Sequence, residues 1–453
     1  MLDSVALLRP PAPIPRANSL GPLALLRVLA TNPLEAWTQA HFSEPIVMGG
    51  LPFAHVAVIN EPAAIRRVLL ENTDNYQKDW LQRRVLSAGL TDGLLTAERQ
   101  QWRMQRRALA PLFARKSVMN YAGRMVEAAC ALADRLEASV GKTVDMAVEV
   151  TRVTLDVLER TIFSDGFGTD REAIRQGMKS YFEAVGRLDP SDVLGIPLPR
   201  TKAQSEQRFF KTAVDRIVVS RKRQLAQADY RAPDDLLAHL LNARDPETGK
   251  GLSEREVAAN VLTFIAAGHE TTANCVTWSL FLLSQSPEWA ECVRAEAERE
   301  LEGDAQTLAD RLVNTRAVID EANRLYPPIA AISRSALGDD ELVGHPIRRG
   351  TMVVIAPYVL HRHRTLWRAP DRFDPRRFLD GGLQKTDRFA YLPFGAGPRT
   401  CVGMTFALQE AAIILATLTC RYRFALLPGH TVIPVQKVTL RPKDGLPMVV
   451  NRR

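Results

Sequence analysis

The stretch FGAGPRTCVG, Phe394 to Gly403, sets one cysteine, Cys401, among glycines, a proline and an arginine, immediately before the apolar run MTFALQEAAIILATL from Met404 to Leu418. A lone cysteine is ordinarily a small buried hydrophobe. Here Gly395, Gly397 and Gly403 give the backbone the freedom to turn tightly and to pass close to a flat ligand. The run that follows predicts a helix, whose free N-terminal N–H groups and positive potential favour thiolate over thiol. A thiolate serves as a nucleophile or as a metal ligand. No cysteine-hydrolase signature surrounds Cys401, and ligation of iron in a flat macrocycle suits the glycine-rich approach better than acyl transfer does.

Two further stretches hold polar groups where apolar ones would be expected. AAGHETTANC, Ala266 to Cys275, interrupts a long apolar segment with Gly268, Glu270, Thr271 and Thr272. Glycine weakens a helix interior by about 1 kcal/mol and threonine hydroxyls compete for backbone carbonyls, so a local opening of the helix beside a ligand is expected there. His269 beside Glu270 lacks the His-x-x-x-His spacing of a zinc helix. In DEANRLYPP, Asp320 to Pro328, Glu321 and Arg324 stand three apart on a helix stopped by Pro327-Pro328 and share one face. Alone, such a pair is an everyday helical ion pair.

These residues need elements to place them. SERE, Ser253 to Glu256, is a capping box that starts a helix of roughly 30 residues, about 45 Å long, ending near Ser286-Pro287. It should be central and buried. A second helix is expected to start at Ser286-Pro287, with the serine as N-cap and the proline at its first position. Strand-like runs are few: HVAVI at 55–59, TMVVIAP at 351–357 and VTLRPKDGLPMVV at 438–450, the last with a turn inside it. The fold class is mainly α with a small β region.

The 453 residues, 46% hydrophobic and 24% charged, leave ample apolar surface for a large core. No repeat or Gly/Ser linker divides them. A proline-rich lead segment with a first helix is expected over 1–45 and one domain over 46–453. The formal net charge is +8, yet the basic residues are spread and no nucleic-acid-binding signature is present, so nucleic acid is excluded as a partner. Five widely spaced cysteines form neither a Cys-x-x-Cys pair nor a disulfide framework, which fits a reducing compartment. LALLRVLA at 23–30 is far short of a membrane span, and the start has no signal-peptide pattern, so a cytoplasmic protein is expected.

Taken in order, Ala267-Gly268-x-Glu270-Thr271-Thr272, Glu321-x-x-Arg324, Phe373-x-Pro375-x-Arg377-Phe378 and Phe394-x-x-Gly397-x-Arg399-x-Cys401-x-Gly403 resemble the cytochrome P-450 family of haem-thiolate monooxygenases. The resemblance covers the chain from about residue 50 onward. It implies a single triangular, mainly helical domain with haem b between the long central helix and the helix after Cys401. Cys401 is then the axial iron ligand, in a loop that begins at Phe394. Arg399, Trp102, Arg106 and Arg334 become partners of the haem propionates. Glu321, Arg324 and Arg377 become a buried structural triad. Glu270 and Thr271 match an acid–alcohol pair that delivers protons while dioxygen is activated, one oxygen atom entering the substrate and the other leaving as water.

The resemblance further implies a pocket lined by the segment between Tyr76 and Thr96, by Thr263, Phe264 and Ala267, by Ile329 to Ile332 and by Val438. These residues are mostly apolar, so the expected substrate is a hydrophobic small molecule. Electrons are expected from a separate ferredoxin or flavodoxin with its reductase; such carriers are acidic, and the positive net charge would steer them. A monomer is expected. The competing readings are a haem-thiolate peroxygenase, dehydratase or isomerase, and a haem- or ligand-binding protein without catalysis.

Overall fold

The computed structural model describes residues 7–51, 54–80, 82–83, 92–164, 201–227, 229–382 and 386–453. The expected capping box forms: Ser253 Oγ accepts from the Glu256 backbone N–H at 3.3 Å, and Glu256 Oε2 accepts from that of Ser253 at 3.0 Å. From it the central helix runs from Glu254 to Ser284. Residues 257–265 and 272–283 are buried on every side of it, because this sequence is apolar all round rather than striped. The helices Met146–Ile162, Val313–Leu325 and Met404–Arg421 pack around it. Trp278 lies stacked on Tyr326 at 3.9 Å between ring centroids, joining the central helix to the end of the Glu321 helix.

The helix expected after Ser286 spans Pro287–Glu300. Ser286 holds the N-cap position, but its hydroxyl makes no capping bond, so the proline at the first helical position carries the start.

The β structure is small, as the sequence suggests. A five-stranded sheet has the order Ile46–Leu51, Ala54–Ile59, Met352–Ile355, Ile332–Ala336 and Tyr76–Gln77. The runs HVAVI and TMVVIAP lie side by side in it as its parallel pair, Val56 opposite Met352 and Val58 opposite Val354. The two halves of the C-terminal run part company: Leu440–Pro442 pairs with Pro434–Gln436, whereas Pro447–Arg452 pairs with Tyr422–Leu426 and Thr143–Asp145. The Pro-Lys-Asp-Gly turn therefore joins two sheets and closes no hairpin.

The first residues described are tied to the body of the fold. The Arg372 side chain donates to Leu7 O at 2.7 Å, the Phe373 N–H to Leu8 O at 2.9 Å and the Tyr326 hydroxyl to Pro11 O at 2.7 Å. Among the described residues no helix is long and apolar enough to cross a membrane.

Candidate functional site

The loop around Cys401 is closed by its own backbone. The Cys401 N–H donates to Phe394 O at 2.9 Å, and Thr400 donates to Gly397 O from both its N–H, at 3.1 Å, and its hydroxyl, at 2.7 Å. Gly395 and Gly397 sit at φ +71° and +70°, where only glycine is unstrained. Gly397 is also pressed against another chain segment, since a Cβ there would lie 1.8 Å from Leu69 O. The helix Met404–Arg421 starts three residues after the cysteine, with Gly403 as N-cap. Water can touch Cys401, yet the protein around it is dense enough that burial pushes its thiol pKa up, against the opposing pull of the Gly403 N–H and the Arg106 charge. The sulfur is therefore open to water while protein packs closely around it.

One wall of this region is a cluster of cations. The Arg399 guanidinium lies 4.4 Å from the centre of the Trp102 ring and donates to Glu98 Oε2 at 2.9 Å and to Ala97 O at 3.3 Å. Lys78 is 3.3 Å from Glu98 Oε1, and its Nζ also donates to Leu95 O. Burial, reinforced by the neighbouring Arg399 charge, pushes Lys78 down to about 8 and Arg334 down to about 10. Among the described residues Arg334 donates to Gln82 Oε1 at 3.2 Å and to its own strand's Ser333 O at 2.7 Å. Arg106, on the same helix as Trp102, is held down by burial and drawn up by Cys401.

Four desolvated cations, of which Lys78, Arg334 and Arg399 repel one another with the Glu98 and Asp79 carboxylates between them, make a receptor for a further anion. A flat group with two carboxylates and a soft-ligand metal fits these residues: cations for the carboxylates, an aromatic face at Trp102, and a thiol in a close-running glycine turn. Lys78 and Glu98 were not singled out from the sequence. Lys78 stands in no motif, and Glu98 could have been found only as the acidic residue at the N-cap position of the Trp102 helix, Arg99–Leu109.

On the central helix, burial is interrupted at 266–271 alone between its two buried stretches: Ala267 is exposed and Ala266, Gly268, Glu270 and Thr271 are half-buried. The expected opening of the helix backbone does not occur, and the helix is continuous through Gly268. A Cβ on Gly268 would make ordinary contact with Leu158 at 3.4 Å, on the face turned towards the helix Met146–Ile162. The Thr271 hydroxyl donates to Ala267 O at 2.7 Å, so a side-chain bond is added to that turn without breaking it.

Glu270 is engaged elsewhere: the Thr439 hydroxyl donates to its Oε1 at 2.8 Å and Arg441 lies 3.5 Å away. Thr439 also accepts from Asn274 Nδ2 at 3.0 Å, tying the C-terminal strands to the central helix. His269 is a buried imidazole kept neutral, its pKa driven down to about 4 by desolvation. Among the described residues no group of three or more His, Cys, Asp or Glu is arranged to hold a metal ion.

Behind the Cys401 loop, Glu321 and Arg324 are wholly buried and joined by two bonds, Nε to Oε2 at 2.6 Å and Nη2 to Oε1 at 2.8 Å. The remaining Arg324 donors reach His361 O, Pro370 O and Arg372 O at 2.7, 2.7 and 2.8 Å, so all five N–H groups of the guanidinium are used. Arg377 approaches Glu321 Oε1 at 3.5 Å, and the Asp374 N–H donates to the same oxygen at 2.8 Å. Glu321, Arg324 and Arg377 are thus brought together.

The expected pocket residues divide. Ala267, Ile329, Ile332 and Val438 are exposed or half-buried. Thr263 and Phe264 are not brought to the open stretch: both are buried, Phe264 against Phe113 in an edge-to-face pair at 4.9 Å and Thr263 beneath Gly93. Of the segment between Tyr76 and Thr96, residues 81 and 84–91 lie outside the described residues.

Comparison with known proteins gives one answer. A sequence model of the family described as Cytochrome P-450 matches residues 10–447. A cytokinin hydroxylase of Arabidopsis thaliana is 31% identical, the alignment covering 86% of this chain and 78% of the relative. A cyclooctat-9-en-7-ol 5-monooxygenase of Streptomyces melanosporofaciens is 35% identical over 76% of this chain and 75% of its own length. A crystal structure of a cytochrome P-450 haem domain superposes with a TM-score of 0.85 at 27% identity, covering 98% of both chains. With haem b as its cofactor and dioxygen as its co-substrate, the chain belongs to the cytochrome P-450 family of monooxygenases.

Proposed function

We propose that this monooxygenase hydroxylates a hydrophobic small molecule with electrons brought by a separate ferredoxin or flavodoxin and its reductase. The observation that carries the reading is the break in burial at 266–271 on the central helix, in a fold where Cys401 is open to water with protein packed closely around it. Accessible surface in mid-core that is small and apolar at Ala266 and Ala267, with one hydroxyl at Thr271, accommodates an apolar body beside one proton-handling group. Ile329, Ile332 and Val438 add apolar surface. The net charge of +8 supports an acidic electron carrier.

When bound, haem with a thiolate ligand supplies the chemistry that splits dioxygen. The chain's own residues hold and serve it. Cys401 is the ligand to the iron, and Trp102, Arg106, Arg334 and Arg399 hold the propionates, joined by Lys78. Glu98 spaces Lys78 and Arg399, which would otherwise repel each other across one carboxylate. Thr271 keeps its proton on Ala267 O and leaves its lone pairs free to accept from a water beside it, so that water is oriented to give up a proton. Glu270, held between Thr439 and Arg441, is half-buried, a position from which it can exchange protons with solvent. Glu321, Arg324 and Arg377 hold the segment behind the cysteine loop.

Thr271→Ala tests the proton-handling role. With a ferredoxin, its reductase and a hydrophobic substrate that shifts the Soret band, the variant is expected to consume reductant at a comparable rate while releasing hydrogen peroxide in place of product. Unchanged product per reductant in Thr271→Ala would remove that role and favour a peroxide-driven or rearranging reaction.

A further inference from the structure

The open stretch of the central helix starts abruptly. Ala266 is half-buried, whereas Thr263, less than one turn earlier, is 5% exposed. What covers Thr263 is the turn over residues 92–97. A Cβ on Gly93 would lie 2.3 Å from Thr263 Oγ1 and 2.7 Å from Ala259 O, so the turn rests on the helix backbone with no side chain between.

Asn260 holds it there. Its side chain is wholly buried; Oδ1 accepts from the Leu94 N–H at 2.8 Å, and Nδ2 donates to Gln105 Oε1 at 3.1 Å and to Glu256 O at 2.8 Å. Gln105, also wholly buried, donates from Nε2 to Asp92 O at 2.7 Å. The turn is therefore gripped at Asp92 and Leu94, on either side of Gly93. On its far side Lys78 and Arg399 take the Leu95 and Ala97 carbonyls, so one short turn spans from the central helix to the cation cluster.

We propose that Asn260 is a positioning residue that, by fixing the 92–97 turn against the central helix, sets the end wall of the substrate chamber and so the length of molecule admitted. The inference rests on the chamber proposed above. Loss of the Asn260 carboxamide strands the Leu94 N–H and the Gln105 amide in a dry site, and the turn must lift to rehydrate them. Lifting uncovers the helix back to Thr263, three residues or about 4.5 Å further.

The test uses the haem-loaded protein and a series of 1-alkylimidazoles from methyl to dodecyl, read as Soret difference spectra. In the unaltered protein, affinity should rise with chain length up to a break where the chain meets the turn. Asn260→Leu should move the break to longer chains, with the longest gaining at least about fivefold relative to 1-methylimidazole, the scale of one hydrogen bond. Asn260→Asp keeps the acceptor for Leu94 and should keep the original break. Should Asn260→Leu fail to load haem, Gln105→Leu releases the Asp92 grip alone and should move the break the same way by less.

Identical chain-length profiles in the unaltered protein and in the variants that load haem would overturn the proposal. So would a uniform loss of affinity that includes 1-methylimidazole, which is what general loosening produces. Absence of any imidazole shift in the unaltered protein would instead overturn the chamber reading itself.

Discussion

Arg399 lays its guanidinium over the Trp102 ring at 4.4 Å while donating to Glu98 Oε2 at 2.9 Å. A planar cation can do both at once and still present N–H groups to a second carboxylate, which a lysine ammonium cannot. The contact joins the cysteine loop to the Trp102 helix through the group that would face a propionate. Arg399→Ala should lower the ratio of Soret to 280 nm absorbance in purified protein, and Arg399→Lys should restore little of it. Trp102→Phe should retain most of it, because an aromatic face of about 0.5 to 2 kcal/mol remains. Full haem content in Arg399→Ala would exclude Arg399 from the propionate site.

Glu321 and Arg324 make the opposite use of charge. Their side chains are wholly buried and every Arg324 donor is occupied, so removing one partner leaves an uncompensated charge in a dry site. Glu321→Ala should cost about 3 to 5 kcal/mol and be seen as loss of haem-loaded soluble protein. Arg66→Ala, which breaks the solvent-exposed pair with Glu71 at 2.7 Å, should cost less than about 1 kcal/mol. Similar thermal midpoints for the two variants would show that burial is not what gives the triad its weight.

His361 gives the protein an acid limit. It is buried, its Nε2 accepts from the Leu392 N–H at 2.8 Å, and desolvation together with the Arg324 and Arg362 charges drives its pKa down to about 3. An unfolded histidine titrates near 6.5, so the unfolded chain binds the extra proton first. This contribution is whole above pH 6.5 and is lost as pH falls towards 3, roughly 2 kcal/mol of it by pH 5. Glu410 runs the other way: burial raises its carboxyl well above the usual range, so its share of stability is present below about 4.5 and lost as pH rises through the folded-state value. Between pH 7 and pH 5 the thermal midpoint should change more favourably in His361→Gln than in the unaltered protein, because only the latter loses the histidine's share. An unchanged slope in that variant would assign the acid limit elsewhere.

Much of this arrangement is legible in the chain because it is local. The capping box fixes the start of the central helix within one turn, and Glu321 and Arg324 meet because three residues of helix put them on one face. The cation cluster is legible only in part. Arg399 and Arg106 lie in motifs, while Lys78 and Glu98 join them from segments some 300 residues from Cys401, by folding alone. Thr263 and Phe264 have the spacing of pocket residues on the same helix as Ala267, yet Gly93 and Phe113 cover them, and nothing in the helix's own sequence records what will lie on it. Periodicity names the faces of a helix; the neighbours decide which stretch of a face stays open.

Two glycines in the cysteine loop separate backbone freedom from close approach. Gly395 and Gly397 have nearly the same φ, +71° and +70°, so alanine at either carries the left-handed penalty of about 1 to 2 kcal/mol. Around Gly395 a Cβ would meet nothing within 4 Å; at Gly397 it would stand 1.8 Å from Leu69 O and 2.8 Å from Leu69 C, backbone atoms that cannot swing aside as a side chain could. Gly395→Ala should thus give a haem-loaded protein with a somewhat lower thermal midpoint. Gly397→Ala must push the turn off the Leu69 segment, and the displacement is passed to Cys401 through Thr400, which hangs from Gly397 O by two bonds. The reduced carbon monoxide complex should then show the red-shifted thiolate band at near-normal intensity in Gly395→Ala and largely lose it in Gly397→Ala. Equal bands in the two variants would mean that the loop tolerates the displacement, and that contact with Leu69 does not set the position of the sulfur.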